Sequence, residues 1–167
     1  MTRSNGRRFG LIGGVVVMTL ATFGGFEGTA GAGTTNPCKV LKKSEIQAAF
    51  GGTVSSGKKG LTTPISSQCE FKVSADGDRP SGTVVVHLVT KNGKPAFNGL
   101  KKISAQYTSL EDPPNSVWGE KTHVVDVLKG NVLLGVQGGF LITGPPISFY
   151  DDQQQLVDLA NIGLKRV

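Results

Sequence analysis

The chain of 167 residues is 38% hydrophobic, 7% aromatic and 18% charged, with a formal net charge of +6, two cysteines and 24 glycines. This is about one domain's worth of residues, too short for a multidomain enzyme and too apolar for a wholly disordered chain. Glycine lacks a three-residue period, helix formers do not dominate and two cysteines allow one bridge, which excludes collagen, a coiled coil and a disulfide-dense toxin scaffold.

Arg3, Arg7 and Arg8 precede an acid-free apolar stretch from Phe9 to Phe26, and the small residues Thr29-Ala30-Gly31-Ala32 follow. Charged, apolar and small-residue regions in that order predict a signal peptide over residues 1–32, cut after Ala32. The alternative is an uncleaved membrane anchor, because the stretch approaches the roughly 18 apolar residues of a spanning helix. Thr35-Asn36-Pro37 before Cys38 is not a lipobox. The expected product is secreted or extracytoplasmic, with an exposed leader at residues 33–37 and one domain over residues 38–167. Residues 33–167 carry 15 Lys or Arg against 11 Asp or Glu, a net +4. The charges are interspersed, with Lys42-Lys43, Lys58-Lys59 and Lys101-Lys102 as pairs, so an evenly mixed surface with a weak attraction to anionic envelope surfaces is expected. No aromatic-interleaved basic platform marks a nucleic-acid partner.

From Val40 to Phe50, Leu41, Ile46, Ala49 and Phe50 share one face of a short helix that Gly51-Gly52 stops. Lys42 and Ser44 compete for its N-cap. Thr53 to Ser67, rich in Gly, Ser, Thr and Lys, reads as a short strand and a loop. Alternation puts Cys69, Phe71 and Val73 on one strand face. Thr83 to Thr90 is apolar on both faces and reads as a central strand. Lys91-Asn92-Gly93 turns into a helix over residues 95–108, on the spacing of Phe97, Leu100, Ile103 and Tyr107. Glu111 to Ser116 is a loop because of Pro113-Pro114. Strands over Lys121 to Leu128 and Val132 to Gln137 flank a hairpin at Lys129-Gly130. Gly138-Gly139 bulges or ends the second, with Phe140 to Thr143 as a continuation. Asp151 and Asp152 open a C-terminal helix ending in Lys165-Arg166, an order that suits the helix dipole.

Two cysteines in an exported chain predict a Cys38–Cys69 disulfide, since their spacing suits neither a redox C-x-x-C nor a metal site. Gly52 to Lys59 nearly spells a phosphate-binding loop but ends in Lys where a hydroxyl is needed. His123 and Asp126, three apart on a strand, point to opposite faces and form no dyad. His87 sits between valines, and it shares a sheet face with His123 in the expected arrangement. Two histidines alone make no zinc site. No G-x-S-x-G elbow or H-E-x-x-H helix occurs, so no catalytic residue, metal or cofactor is assigned. Trp118 is either a plug on the core or an aromatic anchor for a ligand.

Asn36-Pro37-Cys38-Lys39-Val40-Leu41, Glu45-Ile46, Phe50-Gly51-Gly52 and Gln68-Cys69-Glu70-Phe71 together resemble a known pattern. It is the D-P-C-x-L-L-T-x-x-E-V-x-x-x-L-G opening and later Cys of small exported actinobacterial proteins, mostly lipoproteins of unknown function. Val117-Trp118-Gly119-Glu120 and Leu156-Val157-Asp158-Leu159-Ala160 are similar to their turn and closing helix. Lys42 stands where that family has a capping Thr, and the lipobox is missing. The resemblance implies an α+β sandwich, supports the Cys38–Cys69 bridge and carries over no catalytic residue.

The expected fold is therefore α+β, an antiparallel sheet of four or five strands packed by two or three helices with one disulfide. The expected function is that of a monomeric, non-enzymatic binding protein of the cell envelope. Its ligand is an apolar envelope molecule or a protein partner, held in a groove beside the 95–108 helix by Trp118, Tyr107, His87 and Phe140. The alternatives are a small secreted hydrolase using His87 or His123 and a purely structural envelope component.

Overall fold

A computed structural model describes residues 36–103, 105–142, 148–149 and 151–167. The expected signal peptide and most of the leader lie outside these residues. Asn36 and Pro37, assigned to the exposed leader, belong to the fold instead. The Asn36 side chain accepts the Cys38 backbone N–H at 3.0 Å and opens a 3-10 turn at Pro37–Lys39, where Pro37 is buried. Helix α1 (Lys43–Phe50) follows with Lys42 at its N-cap, not Ser44. A lysine cannot accept a hydrogen bond, so the cap is held from the other side: Glu45 Oε2 accepts the Lys42 N–H at 2.7 Å. Ile46 and Phe50 are buried, and Gly51 at φ +67° ends the helix in the left-handed region that glycine tolerates.

The strands are β1 (Lys58–Thr62), β2 (Ser66–Val73), β3 (Gly82–Val89), β4 (Tyr107–Leu110), β5 (Ser116–Gly119), β6 (Val124–Lys129), β7 (Val132–Ile142) and β8 (Ser148–Phe149). Their order is β1-β2-β3-β7-β6-β5-β4, antiparallel throughout, with β8 paired to the end of β7. The main sheet thus has seven strands where four or five were expected. The extra ones are β4 and β5. Helix α2 (Gly93–Lys102) stops short of residue 108, because Ile103 leaves helical geometry at φ −94°, ψ 54° and Tyr107 starts a strand. Ile103 is 44% exposed, so beyond Leu100 the apolar spacing no longer marks a buried helical face. Trp118 lies inside β5, and the strand expected from Lys121 begins at Val124 after a turn. Lys129 pairs with Val132 across a two-residue turn, Gly130-Asn131, with Gly130 at φ +62°. Strand β7 runs straight through Gly138-Gly139 for 11 residues.

Alternation divides the side chains between two faces. Val84, Val86, Leu134, Val136 and Phe140 pack under α1 and α3 (Gln153–Leu164) with Leu156 and Leu159. On the other face Phe97 of α2 covers Val117 and Leu133. β3 contributes to both, as a central strand should. The helices of the first face are joined by Arg166, whose Nη1 donates to Val40 O and to Glu45 Oε2, both at 2.7 Å. The Arg166 hydrogen bond is the main reason the Glu45 pKa falls to about 2. Cys38 and Cys69 are disulfide-bonded with Cα atoms 5.1 Å apart, which ties the 3-10 turn to β2.

Candidate functional site

Each histidine is bonded to a buried aspartate, and a glycine of β7 makes room for each pair. On the α2 face one cross-strand row reads Gln68, His87, Gly135, Asp126, Val117. His87 and Asp126 are therefore two strands apart. A Cβ on Gly135 would lie 1.8 Å from His87 Cε1, so the imidazole lies across the bare backbone. From there Nε2–H reaches Asp126 Oδ1 at 2.9 Å, with side chains 25% and 4% exposed. Burial disfavours charge on the ring, yet the hydrogen bond and charge of Asp126 outweigh it, and His87 titrates above its ordinary 6.5.

A histidine raised on folding stabilises the native state below its unfolded value of about 6.5, and that contribution is lost as pH rises through the folded value. Urea midpoints measured between about pH 6 and pH 9 should fall across this window in the wild type. Asp126→Asn should abolish the fall and bring the His87 imidazole NMR titration below its ordinary value, because burial then acts without the opposing carboxylate. An identical profile in the variant would remove Asp126 as the cause.

The second pair lies on the opposite face. His123, at φ +47° in the turn before β6, accepts the Gly138 N–H on its backbone oxygen at 2.8 Å. Its Nδ1 is hydrogen-bonded to Asp152 Oδ1 at 2.7 Å. Asp152 occupies the N-cap position of α3 but makes no side-chain cap bond, being turned toward the histidine. A Cβ on Gly138 would fall 1.9 Å from Asp152 Oδ2, an atom that is buried with no hydrogen-bond partner among the described residues. Burial pushes the Asp152 carboxyl above its ordinary 3.8, against the hydrogen bond and charge of His123. The Trp118 ring meets the imidazole edge-on, with centroids 5.4 Å apart. A depression of about 480 Å³ opens beside them, bordered by Thr108, Trp118, Glu120, His123, Asp151 and Gln153.

The four residues expected to line one groove are split by the sheet. Trp118 and Phe140 face α1 and α3, whereas Tyr107 and His87 lie on the α2 face. Phe140 is fully buried, 4.7 Å from the Phe50 ring with the Arg79 guanidinium 5.2 Å over its centre. His87 and His123, expected on one face, occupy opposite ones. His123 and Asp126 do not pair: His123 sits in the turn ahead of β6 and bonds Asp152, while Asp126 within β6 bonds His87. Asp126, Asp152, Gly135 and Gly138 were not singled out as site residues. The available signal was glycine inside a strand, which marks close approach of another group.

Among the described residues no three His, Cys, Asp or Glu side chains converge as metal ligands. No helix among them is long and apolar enough to cross a membrane. The class so defined is an α+β domain with one antiparallel sheet, helices on both faces and one disulfide. Comparison with protein-family models, curated proteins and solved structures finds no significant match.

Proposed function

We propose that this is an exported binding protein of the cell envelope, carried past the membrane by the segment over residues 1–32. The observation behind the reading is the depression beside Trp118 and His123. Its border combines an aromatic ring, an imidazole and two carboxylates, Glu120 and Asp151, on a framework held by the buried His123–Asp152 pair. Such a lining favours a protein partner over an apolar molecule, one that presents a Lys or Arg to the carboxylates and a hydrogen-bonding group to the imidazole. A photo-crosslinking residue at Gln153 should trap a discrete envelope protein, and Glu120→Lys with Asp151→Lys should abolish the adduct. The same residue placed at the exposed Asn98 of α2 serves as the control. Adducts that match this control, or that survive the charge reversal, would discard the reading.

A second reading is favoured by the His–Asp pairs themselves. An aspartate behind an imidazole fixes its orientation and supports a general base, which keeps a small secreted hydrolase in view. Activity on a panel of ester, peptide and glycan substrates, lost on His87→Asn or His123→Asn with folding intact, would select it.

A further inference from the structure

The fold collects charges that the sequence scatters. The Gly130-Asn131 turn marks one end of the sheet, and the chain passes this end repeatedly. Lys129 donates to Leu164 O at 2.9 Å, which places the last turn of α3 and Lys165 beside the hairpin. Arg166 bonds Val40 and Glu45, which brings in the start of α1 with Lys39, Lys42 and Lys43. The Gly93 N–H donates to Asn131 O at 3.1 Å, which adds Lys91 and Lys94 at the start of α2. Leu128 N–H donates to Asn115 O, so the 111–115 loop with Glu111 and Asp112 lies there too.

This end carries eight Lys or Arg against three acids, Glu45, Glu111 and Asp112, a net +5. The rest of residues 36–167 has seven Lys or Arg against eight acids, a net −1. The evenly mixed surface expected from the sequence is thus replaced by a basic end. The chain also enters the fold here. Asn36 and Pro37 border a hollow with Thr63 and Pro64 at the β1–β2 turn and Thr90 at the end of β3. Asn36, the first described residue, therefore lies at this basic end.

We propose that this end docks on a bilayer through the anionic phosphate headgroups of its phospholipids. Exposed ammonium groups on several separate elements suit a flat, diffuse array of phosphates, and the attraction needs no pocket. The depression lined by Glu120, Asp151 and Gln153 lies toward the other end of the sheet, at the N-terminus of α3, so the docking does not rest on the partner reading and can fail without it.

The test is co-sedimentation of the protein, in the form recovered after export, with phosphatidylcholine vesicles and with vesicles containing about 30 mol% phosphatidylglycerol. Binding should require the anionic lipid and vanish at about 0.5 M salt, where charges are screened beyond a few ångströms. Lys39→Gln/Lys42→Gln/Lys165→Gln should weaken it about a hundredfold, at roughly fivefold per lysine, with an unchanged melting temperature. Lys58→Gln/Lys72→Gln/Lys121→Gln removes equal charge elsewhere and should leave binding within about twofold. Equal binding to both vesicle types, equal loss in both variants, or binding to soluble polyphosphate without binding to vesicles would overturn the proposal. The lipid and salt dependence of the wild type decides it even if a variant fails to fold.

Discussion

Gly135→Ala should cost the domain roughly 3 kcal/mol, a large fraction of the stability of a single small domain. The added methyl would sit 1.8 Å from His87 Cε1 and 2.0 Å from Nε2, so the ring must leave its place over β7. Asp126, with a side chain only 4% exposed, would then be a buried carboxylate without its partner. The physical claim is that the glycine matters because of the imidazole and not because of the strand. In a His87→Ala background the clash with the ring is removed and the same substitution should cost under about 0.5 kcal/mol. Urea denaturation of the wild type, the two single variants and the double variant closes the cycle. Equal costs in the two backgrounds would mean that the glycine serves β7 itself and that the cross-strand pair is incidental.

Cys38→Ser/Cys69→Ser should cost a further roughly 3 to 4 kcal/mol. The bridge closes a loop of sequence separation 31, and chain-entropy arguments place such a loop in that range. Cys69 is fully buried, and the backbone at Gly57 presses on it: a Cβ there would lie 2.7 Å from its Sγ. Two signatures separate loop closure from lost packing. Reduction of the wild type by dithiothreitol should lower its melting temperature about as much as the double substitution does, and the denaturant slope should rise as the unfolded chain expands. A reduced wild type that melts with the oxidised one would show that the bridge contributes little.

The features legible in the sequence were those written over a few adjacent residues. The Gly51-Gly52 stop, the turn beginning at Gly130, the two-faced apolar strand at β3 and the acids ahead of α3 each carry their own local chemistry. The disulfide was legible for a different reason, since two cysteines leave one possible pairing. Strands β4 and β5 were not legible because four residues each show too little alternation, and Tyr107 happens to continue the helical spacing of Phe97 and Leu100. The His–Asp pairs span 39 and 29 residues and exist only once strand register is set, which no spacing rule supplies. Gly135 and Gly138 were visible but ambiguous, because a glycine in a strand says that something comes close without saying what. Charge behaved the same way: dispersed pairs in the sequence become one basic end only after five turns and helix ends converge.

The strand order also bears on how quickly this chain can fold. β1 to β3 form one meander and β4 to β7 another, each wired between sequence neighbours, and they meet along a single seam where β3 pairs with β7. Every pairing in that seam is distant in sequence, from Val89 with Leu133 to Gly82 with Phe140. Local hairpins close in microseconds, whereas joining them must first overcome the entropy of closing the long connection through α2. The seam is then the rate-limiting event, and His87 reaching over β7 to Asp126 is a contact made only after it has closed. Substitutions at that pair should therefore speed unfolding and leave the refolding rate nearly unchanged.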